Sequence, residues 1–360
     1  MLKKPSEIKK LAMMTDIHFG KRNNSKVHNQ DCLNFIKWFC DEVRRIGDVT
    51  HLAFLGDWFE SRSAINIETM DYSYEGLVML DQLDIPIFFI VGNHDLHRRT
   101  TRDVHSVRMF GELKNFTVID KPQVIDNILF SPYLFDHEYK DLIQYNDLWA
   151  FAGHFEFQNF FVTGYNTILE HGPDHKLFPG PNQIFSGHFH KRQAKDNVVY
   201  IGNTFPMDFG DAGDFQRGMC VYEVLENVVS FIDWEACPKY LKVNLSDVMA
   251  NNWAPVSGMK VKCVIDIDLA YSEAQELRDA MVSTYDLRDF ILEEDREAKQ
   301  GLLEGDNAKV SENLDGGATI DELVVAALSG MKDDKTLKNI DVNMLIELYK
   351  LLPSDAGTDE

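Results

Sequence analysis

Cysteine is scarce in this 360-residue chain: Cys32, Cys40, Cys220, Cys237 and Cys263 are odd in number, widely spaced and form no CxxC. That excludes a disulfide framework and a structural thiolate zinc site, and it fits a reducing cytoplasm. Long apolar runs are missing too. None approaches the ~20 residues of a membrane helix, and the opening stretch MLKKPSEIKKLAMMTDIHFG lacks the apolar segment of a secretion signal. A soluble cytoplasmic protein with no membrane contact is the expectation. Positive charge is also short, with 36 Lys and Arg against 58 Asp and Glu, for a net charge of -22. Spread evenly, that charge disfavours nonspecific adhesion to nucleic acid. It is not even: from Asp266 onward 24 acids face 9 bases, a net of -15, and the first 265 residues carry only -7. A locally basic face is therefore open to the first three-quarters of the chain.

What the chain does have is alternation of strand and helix patterns. At 44% apolar content it can bury one large core with appendages, or two or three smaller cores. The runs KLAMMTDIH and VTHLAFLGDWF are short, apolar and close on Asp with polar neighbours. Between them Leu33, Ile36, Phe39 or Cys40, Val43 and Ile46 fall at helical spacing, and Gly47 is placed to stop that helix. A second helical segment, NIETMDYSYEGLVMLDQLD, leads to the strand IPIFFIV. This β-α-β-α-β order predicts parallel strands covered by helices, an α/β fold. The closely spaced runs NILFSPYLF, LWAFAGHFEF, NQIFSGHFH, VVYIGNTF, GMCVYEV and VVSFIDW predict a second sheet packed on the first. Past Pro238, MKVKCVIDIDL, SEAQELRDAMVSTY and LRDFILEE read as strand, helix and strand, a small α/β module. The stretch EEDREAKQGLLEGDNAKVSENLDGGAT has the polar, charged composition of a linker. Two helical patterns follow, TIDELVVAALSGM and DVNMLIELYKLL, with Thr319 and Asp341 as N-caps.

Ligand-type residues gather where the strands end. They are Asp16 and His18 in TDIHFG, Asp57 in FLGDWFE, Asn93 and His94 in VGNHD, His154 in FAGHFEF, and His188 and His190 in SGHFH. In an α/β fold the carboxyl ends of parallel strands are where ligands collect, so residues distant in sequence converge there. Gly56, Gly92, Gly153 and Gly187 each precede a ligand-type residue, allowing a tight turn and close approach to a bound ion or phosphate. A single Asp after a strand is ordinarily a turn former or cap, and a single His in an aromatic run is ordinarily a hydrogen-bonded core residue. Five such segments, all at strand ends, point to a shared site. Residues i and i+2 of an extended segment face one side, so His188 with His190, and Asp16 with His18, each aim two donors into one pocket. A mixed His, Asp and Asn set suits a pair of divalent transition metals.

The ordered set D-x-H, GD, GNHD, GH and GHxH resembles the calcineurin-like metallophosphoesterases. Within that superfamily TDIHFG, GNHDLH, GHFEFQNF, IFSGHFHKRQ and VYIGNTFPMDFGD are similar to the SbcD-type DNA double-strand-break repair nucleases, a likeness that runs from Leu11 to Tyr222. The resemblance implies a two-sheet sandwich flanked by helices over residues 1–235, a small DNA-contacting capping domain over 236–295, an acidic linker over 296–318 and a C-terminal helix pair over 319–360. It implies that Asp16, His18 and His190 hold one metal and Asn93, His154 and His188 the other, with Asp57 bridging. Neutral Asn93 then limits the negative charge that would repel a phosphate. Two divalent ions are implied, Mn2+ being the family's usual activator, with Mg2+, Fe2+ and Zn2+ left open. His94 holds no metal in that pattern but lies by the scissile phosphate, where it can stabilise charge or protonate the leaving 3′-oxygen. The activity implied is endo- or exonucleolytic hydrolysis of phosphodiesters at double-stranded DNA ends, alongside an SbcC-type, SMC-like ATPase. A phosphoesterase for small diesters or phosphoproteins, and a non-catalytic assembly subunit, are the alternatives.

Basic residues adjoin two of the motifs: His97, Arg98, Arg99, Arg102, His105 and Arg108 after GNHD, and Lys191, Arg192 and Lys195 after GHFH. Their position makes them candidates for contacts to DNA phosphates, which bind in a salt-dependent and sequence-indifferent manner. His171 and His175 read as surface residues of a variable loop. The apolar stripe of Leu323, Val324, Ala327 and Leu328 with Leu345, Ile346, Leu348, Leu351 and Leu352 suits helix-in-groove docking. The resemblance assigns that docking to the coiled-coil base of the ATPase. It also pairs helices 27–46 and 66–83 of two copies into a homodimer within a heterotetramer.

Overall fold

β1 (Lys10–Met14) shows why the apolar runs are continuous: Ala12 and Met14 enter one apolar layer and Leu11 and Met13 another, so both faces of the strand are buried. The computed structural model describes residues 2–162 and 167–294; the linker and helix pair expected over 296–360 lie outside the described residues. β2 (His51–Phe54) and β3 (Ile87–Ile90) repeat the two-faced burial. β4 (Leu96–Arg98) and β5 (Thr101–His105) form a separate hairpin, and β6 (Phe116–Ile119) returns to the sheet beside β3. β7 (Gln123–Ile125), β8 (Ile128–Ser131), β9 (Ala150–Gly153), β10 (Gln183–Ser186), β11 (Gln193–Lys195) and β12 (Val198–Tyr200) make the second sheet. β13 (Gly218–Glu223) and β14 (Val228–Asp233) complete the first.

The first sheet has the order β14-β13-β1-β2-β3-β6, parallel from β1 through β6 and antiparallel at β13 and β14. The second runs β11-β12-β10-β9-β8-β7, with four parallel strands inside and an antiparallel strand at each edge. Here the structure corrects the sequence reading. GMCVYEV and VVSFIDW, expected in the second sheet, are β13 and β14 of the first, where β13 pairs along the open edge of β1. An unpaired edge beside a buried strand leaves backbone groups without partners, and the returning chain supplies them.

Leu11, Met13, Ile90, Phe130, Phe185 and Tyr222 interleave between the sheets. The helices Lys26–Ile46 and Ile67–Asp81 cover the outer face of the first sheet through Phe35, Phe39, Leu77 and Leu80. The stop at Gly47 is where the sequence puts it, and Ser25 and Asn66 cap the two N-termini. Ser25 accepts from the His28 N–H, Gly47 at φ 81° returns its N–H to the Val43 carbonyl, and Asn66 accepts from Glu68 and Thr69. The outer face of the second sheet is covered by aromatic loops carrying Tyr139, Phe155, Phe157 and Phe178. β15 (Tyr240–Asn244), β16 (Lys260–Ile265) and β17 (Asp289–Glu294) form a third sheet, which shares an apolar cluster of Val261, Cys263 and Phe290 with the helix Tyr271–Tyr285. None of the described helices is long and apolar enough to cross a membrane. In both sandwich sheets the ligand-bearing loops leave the carboxyl ends of parallel strands.

Candidate metal centre

The strand ends do not project their ligands by extended alternation. Asp16, His18, Asp57 and His188 have φ of 51°, 52°, 63° and 83°, all in the left-handed region. The i, i+2 reading of DIH and GHFH is therefore corrected: these segments are turns, and it is the turns that aim the side chains. Backbone bonds between loops hold them, the Asp16 N–H donating to the Gly56 carbonyl at 2.9 Å and the His18 N–H to the Asp57 carbonyl at 3.2 Å. Strained backbone persists where surrounding contacts over-determine it, and such positions cluster at functional sites.

The turns bring two sets of donors together. In one, Nε2 of His18 and Nε2 of His190 are 3.2 Å apart, and each lies 3.8 Å from Asp16 Oδ1. In the other, Asn93 Oδ1 is 2.8 Å from His154 Nε2 and 2.9 Å from His188 Nδ1. Asp57 Oδ2 stands between them, 3.8 Å from His18 Nε2 and 3.5 Å from His154 Nε2. His154 donates its Nδ1–H to the Leu55 carbonyl at 2.7 Å, so its neutral ring turns a lone pair on Nε2 toward the oxygen lone pairs of Asn93. Lone pairs facing lone pairs repel unless a proton or a cation sits among them. The charges agree. Burial opposes a positive charge on His154, yet the carboxylates of Asp57 and Asp16 outweigh it and push its pKa up to about 9. The carboxylates thus favour a positive charge beside Asn93, and the nitrogen and oxygen donors without sulfur fit divalent cations.

Beyond the donors lie residues that the sequence reading missed. His18 Nδ1 is 2.7 Å from Glu60 Oε2, and the Glu60 backbone carbonyl accepts from His94 Nδ1 at 2.9 Å. Burial works against the Glu60 charge, but His18 and Lys21 hold its pKa well below the carboxylate range. On the other side, Glu156 Oε1 lies 3.5 Å from His188 Nε2 while its Oε2 accepts from the Tyr133 hydroxyl at 3.1 Å. Outer partners of this kind fix ring orientation in metal sites. Asp95, fully buried, takes the N–H groups of Asp57 (3.0 Å) and Gly92 (2.9 Å) on Oδ2 and those of Trp58 (3.1 Å) and Phe59 (3.3 Å) on Oδ1. It ties the GD loop to the GNHD loop. The only sequence signal for these acids is a charge inside or next to an otherwise buried motif, as in GDWFE and GNHD.

His94 donates its backbone N–H to Asp57 Oδ1 at 2.8 Å, and its ring meets that of His18 edge-on at 4.9 Å between centroids. With Nδ1 held by Glu60, Nε2 is the nitrogen left to face a substrate. Burial lowers its pKa. Gly92 has a different use from the one expected. A Cβ there would lie 2.2 Å from Asp57 Oδ1, so the missing side chain makes room for a ligand residue rather than for an ion or phosphate.

The basic residues separate. Arg98 and Arg99 are exposed on the β4–β5 hairpin, as is His97, whose Nδ1 is 3.3 Å from the Arg62 carbonyl. Arg102 is bound bidentately to Glu138 and donates to the Tyr133 carbonyl at 2.8 Å; Arg108 turns back to the Asp103 carbonyl, and His105 is buried. Lys191 and Lys195 lie over Phe161 and Phe160, and Arg192 pairs with Asp233 at 2.7 Å. His171 is exposed as expected, but His175 is not a surface residue: it is buried and 2.8 Å from Asp196 Oδ2, packed against Phe160.

Comparison with known proteins follows the same lines. The family model of calcineurin-like phosphoesterase matches residues 9–192. The chain is 26% identical over 231 residues to Exonuclease subunit 1 of Enterobacteria phage T4, covering 62% of this chain and 67% of that protein. Among solved structures it is similar to a dimetal phosphatase from Danio rerio, with 10% identity and a TM-score of 0.38 over 61% of this chain and 93% of the other. It is also similar to a Pseudomonas putida nuclease, with 14% identity and a TM-score of 0.30 over 61% and 87%.

Proposed function

Because the chain belongs to the calcineurin-like phosphoesterase family, hydrolases that bind two divalent metals, we propose that it is a Mn2+-dependent DNA nuclease acting on phosphodiesters at double-stranded ends. One observation carries the reading: seven ligand-type side chains from five loops converge, Asp57 standing between two sets of three, with His94 beside them. Asp16, His18 and His190 would hold one cation, Asn93, His154 and His188 the other, and Asp57 would bridge. Bound there, the cations supply Lewis acidity toward phosphoryl oxygens and a water of lowered pKa. The Leu55 carbonyl and the Glu60 carboxylate sit against Nδ1 of His154 and His18, so in the neutral form of each ring the proton is on Nδ1 and Nε2 is the atom that would face a cation. The chain presents His94 Nε2 to stabilise charge or hand a proton to the leaving oxygen.

The name of the phage T4 relative, an exonuclease subunit, supports DNA as substrate and membership of a complex. We assign the partner to an SbcC-type ATPase, docked through the helix pair that the sequence predicts over residues 319–360. Exposed Val27, Ile67, Met70 and Tyr74 on the two outer helices support a homodimer through that face. The test is hydrolysis of linear duplex DNA with Mn2+ by the parent and by His94→Ala. The variant should keep metal uptake and cut about 100-fold or more slowly. Cutting at the parental rate removes the role given to His94. Hydrolysis of bis-(p-nitrophenyl) phosphate with none of DNA replaces the nuclease by a small-diester phosphoesterase.

A further inference from the structure

Cations from two parts of the chain face one tyrosine. Tyr240 is 3% exposed, with the Arg22 guanidinium 4.9 Å from its ring centroid and Lys260 Nζ 5.6 Å from the same point. Arg288 adds its field to Lys260 while bonded to Asp31 at 2.6 and 2.9 Å. Among the described residues no carboxylate lies within ion-pair distance of Arg22 or Lys260. Their neighbours are matched: Lys21 has Glu60 at 3.4 Å and Asp208 at 3.8 Å, and Lys262 has Glu293 at 2.7 Å. Burial first, and then Arg22 and Arg288 against the opposing charges of Asp31 and Asp289, bring the pKa of Lys260 down to about 8. Asp31 and Asp289 act on Lys260 from further off, but in a chain of net charge -22 two neighbouring cations with no carboxylate in direct contact, among the described residues, are an unmatched feature.

The backbone of this turn is itself strained. Arg22, Asn23 and Asn24 have φ of 58°, 53° and 59°, three successive non-glycine residues in the left-handed region, which L side chains rarely adopt in a run. The Gly20 N–H bond to Asn29 Oδ1 at 2.8 Å and the Thr69 hydroxyl bond to Asn24 Oδ1 at 3.1 Å hold the turn. The sustained strain lays Arg22 across Tyr240. The turn is also continuous with the metal centre, since Lys21 contacts Glu60 and Glu60 contacts His18.

We propose that Arg22 and Lys260, with Arg288 behind them, seat one phosphate of a nucleic-acid backbone, leading the strand from the metal centre onto the third sheet. The proposal rests on the nuclease reading above. A phosphodiester has two free oxygens, one for the planar guanidinium and one for the compact ammonium. An anion between the two cations relieves their repulsion, and because only backbone is touched the contact is indifferent to sequence.

The experiment measures equilibrium binding of a short linear duplex to the full chain, with chelator present, between about 50 and 200 mM salt. Arg22→Ala/Lys260→Ala should lower the slope of log affinity against log salt by about 1, and the affinity near 100 mM about tenfold. Arg22→Lys/Lys260→Arg should keep the parental slope. Because Lys260 is half-buried, Arg22→Ala alone, on an exposed turn, serves as the second variant should the double one melt early. An unchanged slope and affinity in a folded variant overturns the proposal. So does protection of the Lys260 amine from acylation by inorganic phosphate alone with the slope intact, since the site then serves free phosphate. Hydrolysis of linear duplex DNA by the parent with Mn2+ reports on the nuclease reading separately. Hydrolysis with an unchanged slope removes the phosphate seat only, and a reduced slope without hydrolysis leaves the seat standing and removes the nuclease reading.

Discussion

Asp95→Asn isolates the device that holds the two central motif loops together. The carboxylate accepts four backbone N–H groups, from Asp57 and Gly92 on one oxygen and from Trp58 and Phe59 on the other. An amide keeps one acceptor oxygen and turns an NH2 group toward the remaining pair. Placed on the side of Trp58 and Phe59, where the bonds are longer at 3.1 and 3.3 Å, it sets donors against donors. Two hydrogen bonds to a charged group are lost, at about 1.5–3 kcal/mol each. Part of that is returned, because burial and then the charge of Asp57 push the Asp95 pKa up to about 7, which records a penalty for ionising it that Asn does not pay. The low end of the range, about 3 kcal/mol, is the expected net loss. It corresponds to about a 100-fold fall in local protection.

Hydrogen exchange of the metal-free protein reads this directly. Peptides containing the amides of Trp58 and Phe59 should exchange about 100-fold faster in Asp95→Asn, while those from the helix Lys26–Ile46 remain at the parental rate. Metal uptake should weaken as well, since Asp57 and Asn93 lose a common anchor. Parental protection at Trp58 and Phe59 in the variant refutes the reasoning, because it means that the four bonds do not hold the loop.

Three further outcomes follow from contacts around the site and at the N-terminus. Gly92→Ala drives a Cβ to 2.2 Å from Asp57 Oδ1 and 2.3 Å from Asp57 N, where backbone cannot yield; Mn2+ affinity by calorimetry should fall at least about tenfold, and an unchanged affinity rules out the tight fit. Glu60→Gln keeps an acceptor for His18 Nδ1 but removes the charge 2.7 Å away; a loss of about 10–100-fold in Mn2+ affinity is expected, and equal binding by both proteins denies Glu60 its orienting role. Asp126 accepts the N–H groups of Ser6, Glu7 and Ile8, and although burial opposes its charge these bonds hold its pKa below the ordinary value. Its stabilisation is present above the unfolded pKa and disappears as pH falls through the folded one. Asp126→Ala should cost about 1 kcal/mol by urea unfolding near pH 7 and nothing once the wild-type carboxylate is protonated; a pH-independent difference contradicts the charge argument.

How much of this was readable from the residues depends on the distance over which each feature is determined. The β-α-β-α-β order was legible because local periodicity and a stop such as Gly47 set it within one or two turns. The donors were legible because few side chains ligate metal and they stand at strand ends. Their aim was not. The i, i+2 argument for GHFH places two imidazoles on one side only if the segment is extended, and His188 at φ 83° is not. The rings still converge because the His188 N–H is held by the carboxylate of Asp16, 172 positions away, at 3.1 Å. The same distance hides Glu60, Asp95 and Glu156, whose partners lie 42, 38 and 32 positions from them. It also hides the return of β13 to β1 and the pairing of Arg102 with Glu138. A motif fixes which atoms can bind a cation, but the dihedral angles that turn them toward it are selected by loops from other strands. A substitution such as Asp95→Asn can therefore disarm the site while leaving each proposed ligand in place.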